Sequence, residues 1–462
     1  MKKVPGSFKD RSNQVFVDSS GIFRTIDCNM NKAFPDVFDL NIIQEMVNSG
    51  MLVPSKLISQ ERSGSENLVK IEHQKIPFIS YPYEWSNAFL YAAAIKTIEI
   101  NSYLITKDYH LIDANAFNIQ FIDGNPILID IGSVSSYDEK KGWQALNEFL
   151  EAFFYPLYFC KTTGLRFNDV YKSFLRGVPV SFLYSVKRFR DFLSIGFILN
   201  VFLNELLLRK ILRNNKKNQK PIHKKRVITP KSFTSLLNFQ KNLIQKVYKK
   251  INRKNSYWQT YSDDMHNYAE SDFNLKVKII KEFSKKYKPN MLLDIGCNEG
   301  FFSILSLENG AKSIISIDND ENCIERLSEK VIKEKLPILP LIINVTNESP
   351  MQGWLGTERD SFSKRAEKCD GVICLAVIHH MVIGSNIPLE QAIRWIVGNK
   401  SYGVIEFVSK DDSQIMELLA HREDIFNDYS YDQFIEILSS ISTIKKIIHS
   451  ENGKRSYAIF ER

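Results

Sequence analysis

Leu292–Ser303 reads LLDIGCNEGFFS, an apolar run that enters a glycine-bearing turn and resumes as a second apolar, helix-forming run. Asp294, Gly296 and Gly300 stand there in a D-x-G-x-x-x-G arrangement, with Cys297 and Asn298 inside the turn. Glycine lets a backbone turn tightly and pass close to a ligand, because no Cβ stands in the way. A turn of this kind also occurs in dinucleotide folds, so it does not choose the cofactor alone. The next strand narrows the choice. IISID ends at Asp318, 24 residues after Asp294. An acid at the tip of the second strand can accept both hydroxyls of a ribose. The turn holds no G-x-G-x-x-G, which counts against NAD.

Around this stretch, strand-like and helix-like runs alternate. Met291–Ile295 is followed by a helical Phe301–Leu307, and the strand-like Ser313–Ile317 by a helical Cys323–Lys333. Leu339–Ile343, Gly371–Ala376 and Gly403–Val408 are further short apolar runs. A βαβα rhythm predicts an α/β domain, with a parallel sheet covered by helices on both faces.

With these residues in place, the segment resembles the class I S-adenosylmethionine (SAM)-dependent methyltransferases over roughly 200 residues. DIGCNEG is similar to their first motif, and Asp318 to their ribose-binding acid. IINVTNESP is similar to the third-strand loop along the adenine, with Asn344 where an acid is common. Leu375–His380, LAVIHH, is similar to the fourth-strand segment beside the methyl group. The resemblance implies a Rossmann-like, seven-stranded methyltransferase sheet. It also implies SAM held by Asp294, Gly296, Cys297, Asn298, Gly300, Asp318 and Asn344. A closer resemblance is to a bacterial family linked with surface-glycan and nodulation-factor gene sets. It is carried by GWLGTERDSFSKR, LAVIHHMVIGSNIPL and VIEFVSKDDSQIMELLAHREDIFNDY, with ISYPYEWS and LIDANAFNIQFIDGNPILIDIGS in the first half. That family implies a saccharide or other small-molecule acceptor.

Methyl transfer from a sulfonium is an in-line displacement that needs alignment and, for a hydroxyl acceptor, a base. His379, His380 and Glu406 fall at predicted carboxyl ends of strands, where open α/β sheets bind ligands. Either histidine is a candidate base, or caps a strand by hydrogen bonding. Glu406 is a candidate to orient the acceptor or to pair with Arg422. Trp258 and Tyr261, just ahead of the domain, are candidates to cover the cofactor.

In the first half, HLIDANAFNIQFIDGNPILIDIGS stands out. Asp113 and Asn118 form D-x-x-x-x-N, and Asp130 follows in D-I-G. NIQFI and PILID flank an Asp123-Gly124-Asn125 turn, a hairpin signal. This order resembles the catalytic loop, hairpin and metal-binding Asp of protein and small-molecule kinases. The resemblance implies a separate α+β, kinase-like domain, with ATP and Mg²⁺ at Asp113, Asn118 and Asp130. The rest of the kinase pattern is thin. QVFVDSSGIFRTI has one glycine, Gly21, where a Gly-rich loop is expected. Lys70 and Lys75 are candidates for the phosphate lysine and Glu84 for its partner. The rival readings are a degenerate kinase-like module and a hairpin whose acids cap turns.

A chain of 462 residues calls for two domains. Its 31 Phe and 19 Tyr supply large apolar surfaces for two cores. The six cysteines form no C-x-x-C pair, so no metal site is expected; reduced thiols fit a cytoplasmic protein. The N-terminal MKKVPGSFKDRS has no apolar run behind its lysines and does not read as a secretory signal. Phe192–Leu208 is apolar but interrupted by Asn200, Asn204 and Glu205; it reads as a buried or amphipathic helix, with a membrane-surface helix as the other reading.

The net charge of +8 is concentrated. Arg209–Lys254 holds 16 Lys or Arg and no acid, while the rest carries 45 basic against 53 acidic residues. This block reads as a connector spanning residues 206–255, between domains at 1–205 and 256–462. Pro221 and Pro230 discourage helix in it, although Phe233–Ile251 keeps helical apolar spacing. It is a solvated segment or a contact with anionic lipid headgroups or an anionic glycan, and the lipid reading adds peripheral attachment to the inner membrane to the expectation. No nucleic-acid reading module accompanies the charge, so nucleic acid is not an expected partner. The reading is a SAM-dependent O-methyltransferase of a saccharide or glycan-related acceptor. The alternatives are a bifunctional kinase-methyltransferase and a non-catalytic scaffold that keeps the SAM fold.

Overall fold

The computed structural model describes residues 2–18, 21–31, 34, 41–63, 66–216, 227–251, 270–420 and 422–462. The chain divides into two compact units. One comprises Met1–Arg253 with Gln352–Arg359, the other Lys254–Met351 with Asp360–Arg462.

The first unit opens with five strands, β1 (Lys2–Lys3), β2 (Asn13–Val17), β3 (Ile22–Asp27), β4 (Ser55–Ser63) and β5 (Glu66–His73). They form an antiparallel sheet of order β1-β2-β3-β5-β4. Two small ribbons follow: β6 (Tyr109–Leu111) with β9 (Val134–Ser136), and β7 (Ile119–Ile122) with β8 (Asn125–Leu128). Asp123 and Gly124 both have positive φ, 49° and 69°, the geometry of the tight hairpin turn that the sequence predicts.

The strands of the second unit are β10 (Leu292–Ile295), β11 (Ile314–Asp318), β12 (Ile338–Ile342), β13 (Gly371–Cys374), β14 (Tyr402–Val408), β15 (Thr443–His449) and β16 (Arg455–Glu461). They make one seven-stranded sheet of order β12-β11-β10-β13-β14-β16-β15. β10 to β14 are mutually parallel, and β16 runs antiparallel between β14 and β15. LLDI, ILPLI and GVIC are buried at every position. Such continuous apolar runs belong to strands covered on both faces. Pro340 lacks a ladder donor, and it sits on the edge strand β12, where that costs least. The chain builds outward from β10 to β12, then returns to β13 on the other side of β10. The loops after β10 and β13 therefore diverge at a topological switch point, the crevice where open α/β sheets bind ligands.

Two boundaries differ from the expectation. The 206–255 block is not a connector throughout. Pro230–Tyr248 is one helix, capped by Thr229, that buries Phe233, Leu237, Gln240, Leu243, Ile244 and Val247. Tyr248 stacks on Tyr91 at 4.4 Å, and Gln240 exchanges two buried amide hydrogen bonds with Asn200. The lysines occupy the outer face of the helix that the apolar spacing of Phe233–Ile251 predicts, and Pro230, expected to discourage helix, stands at its first position, where no N–H is needed. Residues 217–226 and 252–269, which include Pro221, Trp258 and Tyr261, lie outside the described residues. The second departure is Gln352–Arg359, which belongs to the first unit. Gln352 donates to the Lys172 carbonyl, Glu358 pairs with Lys9 at 2.6 Å, and the Arg359 guanidinium lies 4.0 Å from the Phe117 ring.

A linker residue tolerates truncation, whereas a core one does not. Leu237→Ala is expected to cost the first unit about 3 kcal/mol, read as a lowered denaturation midpoint. An unchanged midpoint would return this segment to the status of a connector.

Candidate cofactor site at the switch point

The turn after β10 is built by hydrogen bonds from its own backbone. Gly296 and Cys297 both donate their N–H to the Ile317 carbonyl, at 2.9 and 3.0 Å, and Gly300 donates to Cys297 at 2.8 Å. Gly296 and Gly300 have φ of 72° and 80°. A Cβ on Gly296 would stand 2.3 Å from Val377 Cγ2, and one on Gly300 2.5 Å from Leu327 Cδ1. Both the left-handed backbone and the close approach require glycine. Asn298, also left-handed at φ 49°, tolerates that conformation better than most residues.

Asp318 ends β11 beside this turn. Its Oδ2 accepts the Asn298 N–H and its Oδ1 the Asp320 N–H, both at 2.9 Å. Burial pushes its carboxyl up, and those backbone donors pull it back. Each oxygen has a second lone pair, so a fixed carboxylate remains able to accept from a vicinal diol. Asp294 lies beneath the turn. Its Oδ2 accepts Ser303 Oγ at 2.5 Å, and Ser303 Oγ meets Ser316 Oγ at 2.7 Å. Burial pushes the Asp294 carboxyl up to about 7, with Asp318 adding to the rise. These bonds fasten β10, the helix Phe301–Glu308 and β11 together. The Cys297 thiol is buried and held well above its ordinary range by burial, which leaves it a poor nucleophile. Asn344 is half-buried and caps its own loop, accepting Thr346 N–H and Oγ1 at 3.0 and 2.8 Å. The backbone next to it is tied to β11, where Ile343 N–H donates to the Asp318 carbonyl at 2.9 Å. The turn, Asp318 and the Asn344 loop thus sit at three adjacent carboxyl ends of the sheet.

The loop after β13 faces them from the other side of the switch point. Ala376 there has φ 55°, strain for a residue with a Cβ, and nothing in LAVIHH announces it. His379 is fully buried, and burial drives its imidazole well below the usual value. Neither of its ring nitrogens has a hydrogen-bond partner among the described residues. His380, its ring 4.2 Å away, is half-buried and also lowered by burial. Of the two, His380 is the more exposed.

Glu406 corrects the sequence reading. It lies inside β14, wholly buried. Its Oε1 accepts Arg455 Nη1 at 3.0 Å and the Tyr457 hydroxyl at 3.2 Å, and Lys276 Nζ lies 2.9 Å from Oε2. Burial opposes its charge, but Lys276 and Arg455 outweigh that and hold the carboxyl below its ordinary range. Arg422, its expected partner, instead donates to the Ile383 carbonyl and to Asn386 Oδ1. Glu406 is a framework ion pair.

In the first unit, Asp130 is also engaged. Arg24 Nη1 lies 2.5 Å from Asp130 Oδ1, which also accepts Asn13 Nδ2 and the Gly132 N–H. Arg24 leads on to His73 Nε2 at 3.2 Å, and His73 Nδ1 to Ser55 Oγ at 2.8 Å. The sequence offers Lys70 and Lys75 as candidates for the phosphate lysine and does not single out Arg24, which meets Asp130 from 106 residues away in the chain. Lys70 Nζ lies 5.1 Å from the Phe23 ring, Lys75 is exposed, and Glu84 accepts the Tyr81 N–H. Burial pushes the Asp113 carboxyl up to about 7, helped by Glu148 and then Asp130. Asn118 Nδ2 is buried with no hydrogen-bond partner among the described residues. Among the described residues, no cluster of three or more His, Cys, Asp or Glu is arranged to hold a metal ion.

The sheet order, the glycine turn after its central strand and the acid ending the next define the class of the second unit: an α/β fold of the methyltransferase type. No protein-family model matches the chain. The chain is 32% identical over 467 residues to nodulation protein NoeA of Rhizobium meliloti (strain 1021), covering 100% of this chain and 96% of the relative. It belongs to the NoeA family. A shorter stretch of 121 residues, 23% of this chain and 44% of the relative, is 27% identical to ribosomal protein L11 methyltransferase of Thermosipho africanus (strain TCF52B). Among solved structures, N-methyltransferase NodS of Bradyrhizobium japonicum WM9, in complex with S-adenosyl-L-homocysteine, matches with a TM-score of 0.31. It is 14% identical and covers 44% of this chain and 97% of its own.

Proposed function

We propose that the second unit transfers a methyl group from SAM to a hydroxyl of a saccharide or glycan-related acceptor. The observation that carries this reading is Asp318, held by two backbone amides beside the Gly296–Gly300 turn, at the switch point of the sheet. The saccharide class rests on membership of a nodulation-protein family.

SAM, when bound, supplies a sulfonium-activated methyl carbon. Asp318 accepts the ribose hydroxyls, and the Gly296–Gly300 turn lets the backbone approach the methionyl part. Asn344 lines the adenine side. The half-buried His380 is kept neutral at pH 7 by its lowered affinity for protons. His380 would take the proton of the acceptor hydroxyl as its oxygen attacks the methyl carbon, with the thioether as leaving group.

Calorimetry with SAM tests the site. Charge-assisted hydrogen bonds contribute about 1.5–3 kcal/mol each, so Asp318→Ala is expected to weaken SAM binding by about 100-fold or more. Absence of binding to the wild type, or equal affinity in the variant, would remove the proposal.

A further inference from the structure

Phe189–Arg213 presents an apolar surface with a basic border. The helical run Ile195–Phe202 turns inward Phe197, Asn200 and Val201, and Glu205 follows them into the core. Leu199, Leu203, Leu207 and Ile211 remain exposed at four-residue spacing along the opposite face. Four-residue spacing aligns side chains on one helix stripe. Just upstream, Phe189 is 88% and Leu193 84% exposed, with Ile195 beside them. Solvent-exposed apolar stretches of this extent mark interaction surfaces.

The charges around the stripe are sorted by sign. The two acids of the segment are turned inward. Asp191 is buried and accepts from Tyr158, Lys161 and Thr162, and Glu205 is buried and paired with Arg209 at 2.7 Å. Lys187, Arg188, Arg190, Lys210 and Arg213 supply the outer charge. Next to Leu193 and Ile195 opens a cavity of about 310 Å³, lined also by Lys161, Arg190, Lys246 and Lys250. Four cations converge there, with Asp191 offsetting part of the Lys161 charge at 3.1 Å.

We propose that this face is a docking surface for an anionic lipid bilayer. The four-cation cavity takes a lipid phosphate headgroup, while Phe189, Leu193, Ile195 and the Leu203–Leu207–Ile211 stripe enter the acyl boundary. An apolar stripe bordered by Lys and Arg is what an in-plane interfacial helix requires. No helix among the described residues is long and apolar enough to cross a membrane, so the contact is peripheral to the bilayer plane. This moves the expected lipid contact from the basic block at large to a surface on which that block contributes Lys210, Arg213, Lys246 and Lys250. The inference is independent of methyl transfer.

Cosedimentation of the full chain with vesicles of phosphatidylcholine, alone or with equal phosphatidylglycerol, tests it. Binding is expected to the anionic vesicles and to fall at least tenfold on pure phosphatidylcholine. Each basic group near a bilayer contributes about fivefold, so Lys246→Gln with Lys250→Gln is expected to lower anionic binding by about 25-fold. Phe189→Ser with Leu193→Ser removes the part that survives high salt. These four side chains lie at the surface or in the open cavity, and an unchanged melting curve shows that the variants fold. No anionic-vesicle binding by the wild type, or full binding by both variants, would overturn the proposal. So would a dimer that Leu203→Ser with Leu207→Ser dissociates while vesicles capture nothing, since a second copy then covers the stripe.

Discussion

Glu406→Ala is expected to destabilise the second unit by about 3–5 kcal/mol, the cost of removing one partner of a buried ion pair. The carboxylate sits between Lys276 and Arg455, both buried, and also receives the Tyr457 hydroxyl. Two cations in a low-dielectric interior then share less negative charge. Arg455 keeps Asp412 at 3.0 Å, which limits the loss on its side. For a unit of this size about 1 kcal/mol moves the midpoint by 2–4 °C, so a fall of about 6–20 °C is expected in differential scanning calorimetry. Glu406→Gln keeps the shape and restores only part. Had Glu406 oriented the acceptor, the melting curve would hold and kcat alone would fall.

His380→Gln is expected to lower kcat by about 10²–10⁴-fold, the usual contribution of a positioned general base, with SAM affinity unchanged. The sign of the pH dependence follows from burial. An unperturbed imidazole is half protonated near pH 6.5, and burial lowers that value for His380. The proton-accepting form therefore predominates at pH 7, and the acid limb of the wild-type profile falls below pH 6.5. A carboxamide in place of the imidazole takes no proton, so the variant loses that limb. The buried neighbour gives a control: His379→Gln changes packing and is expected to keep the limb.

What the sequence made legible was local. Asp294, Gly296, Gly300 and Asp318 lie within one strand-turn-helix-strand unit, so their spacing carried the geometry of the turn and the acid beside it. Asp123-Gly124 was legible for the same reason: a hairpin turn is decided by two residues. What escaped was decided by distant chain segments. Glu406 meets Arg455 and Lys276, 49 and 130 residues away, and no pattern around VIEFV announces either. Arg24 reaches Asp130 across 106 residues. The Pro230–Tyr248 helix was legible in the apolar spacing of Phe233–Ile251, but the charge of its outer face assigned it to a connector rather than to the core. The strained Ala376 left no sequence signal, because a glycine is what a left-handed position ordinarily displays.

The most direct test of methyl transfer is incorporation of label from methyl-labelled SAM into saccharide extracts, with wild type and Asp318→Ala side by side. Label that enters a saccharide fraction with the wild type and disappears with Asp318→Ala is the predicted result. Absence of wild-type transfer to any fraction, with SAM bound, would contradict the account and leave a SAM-binding scaffold.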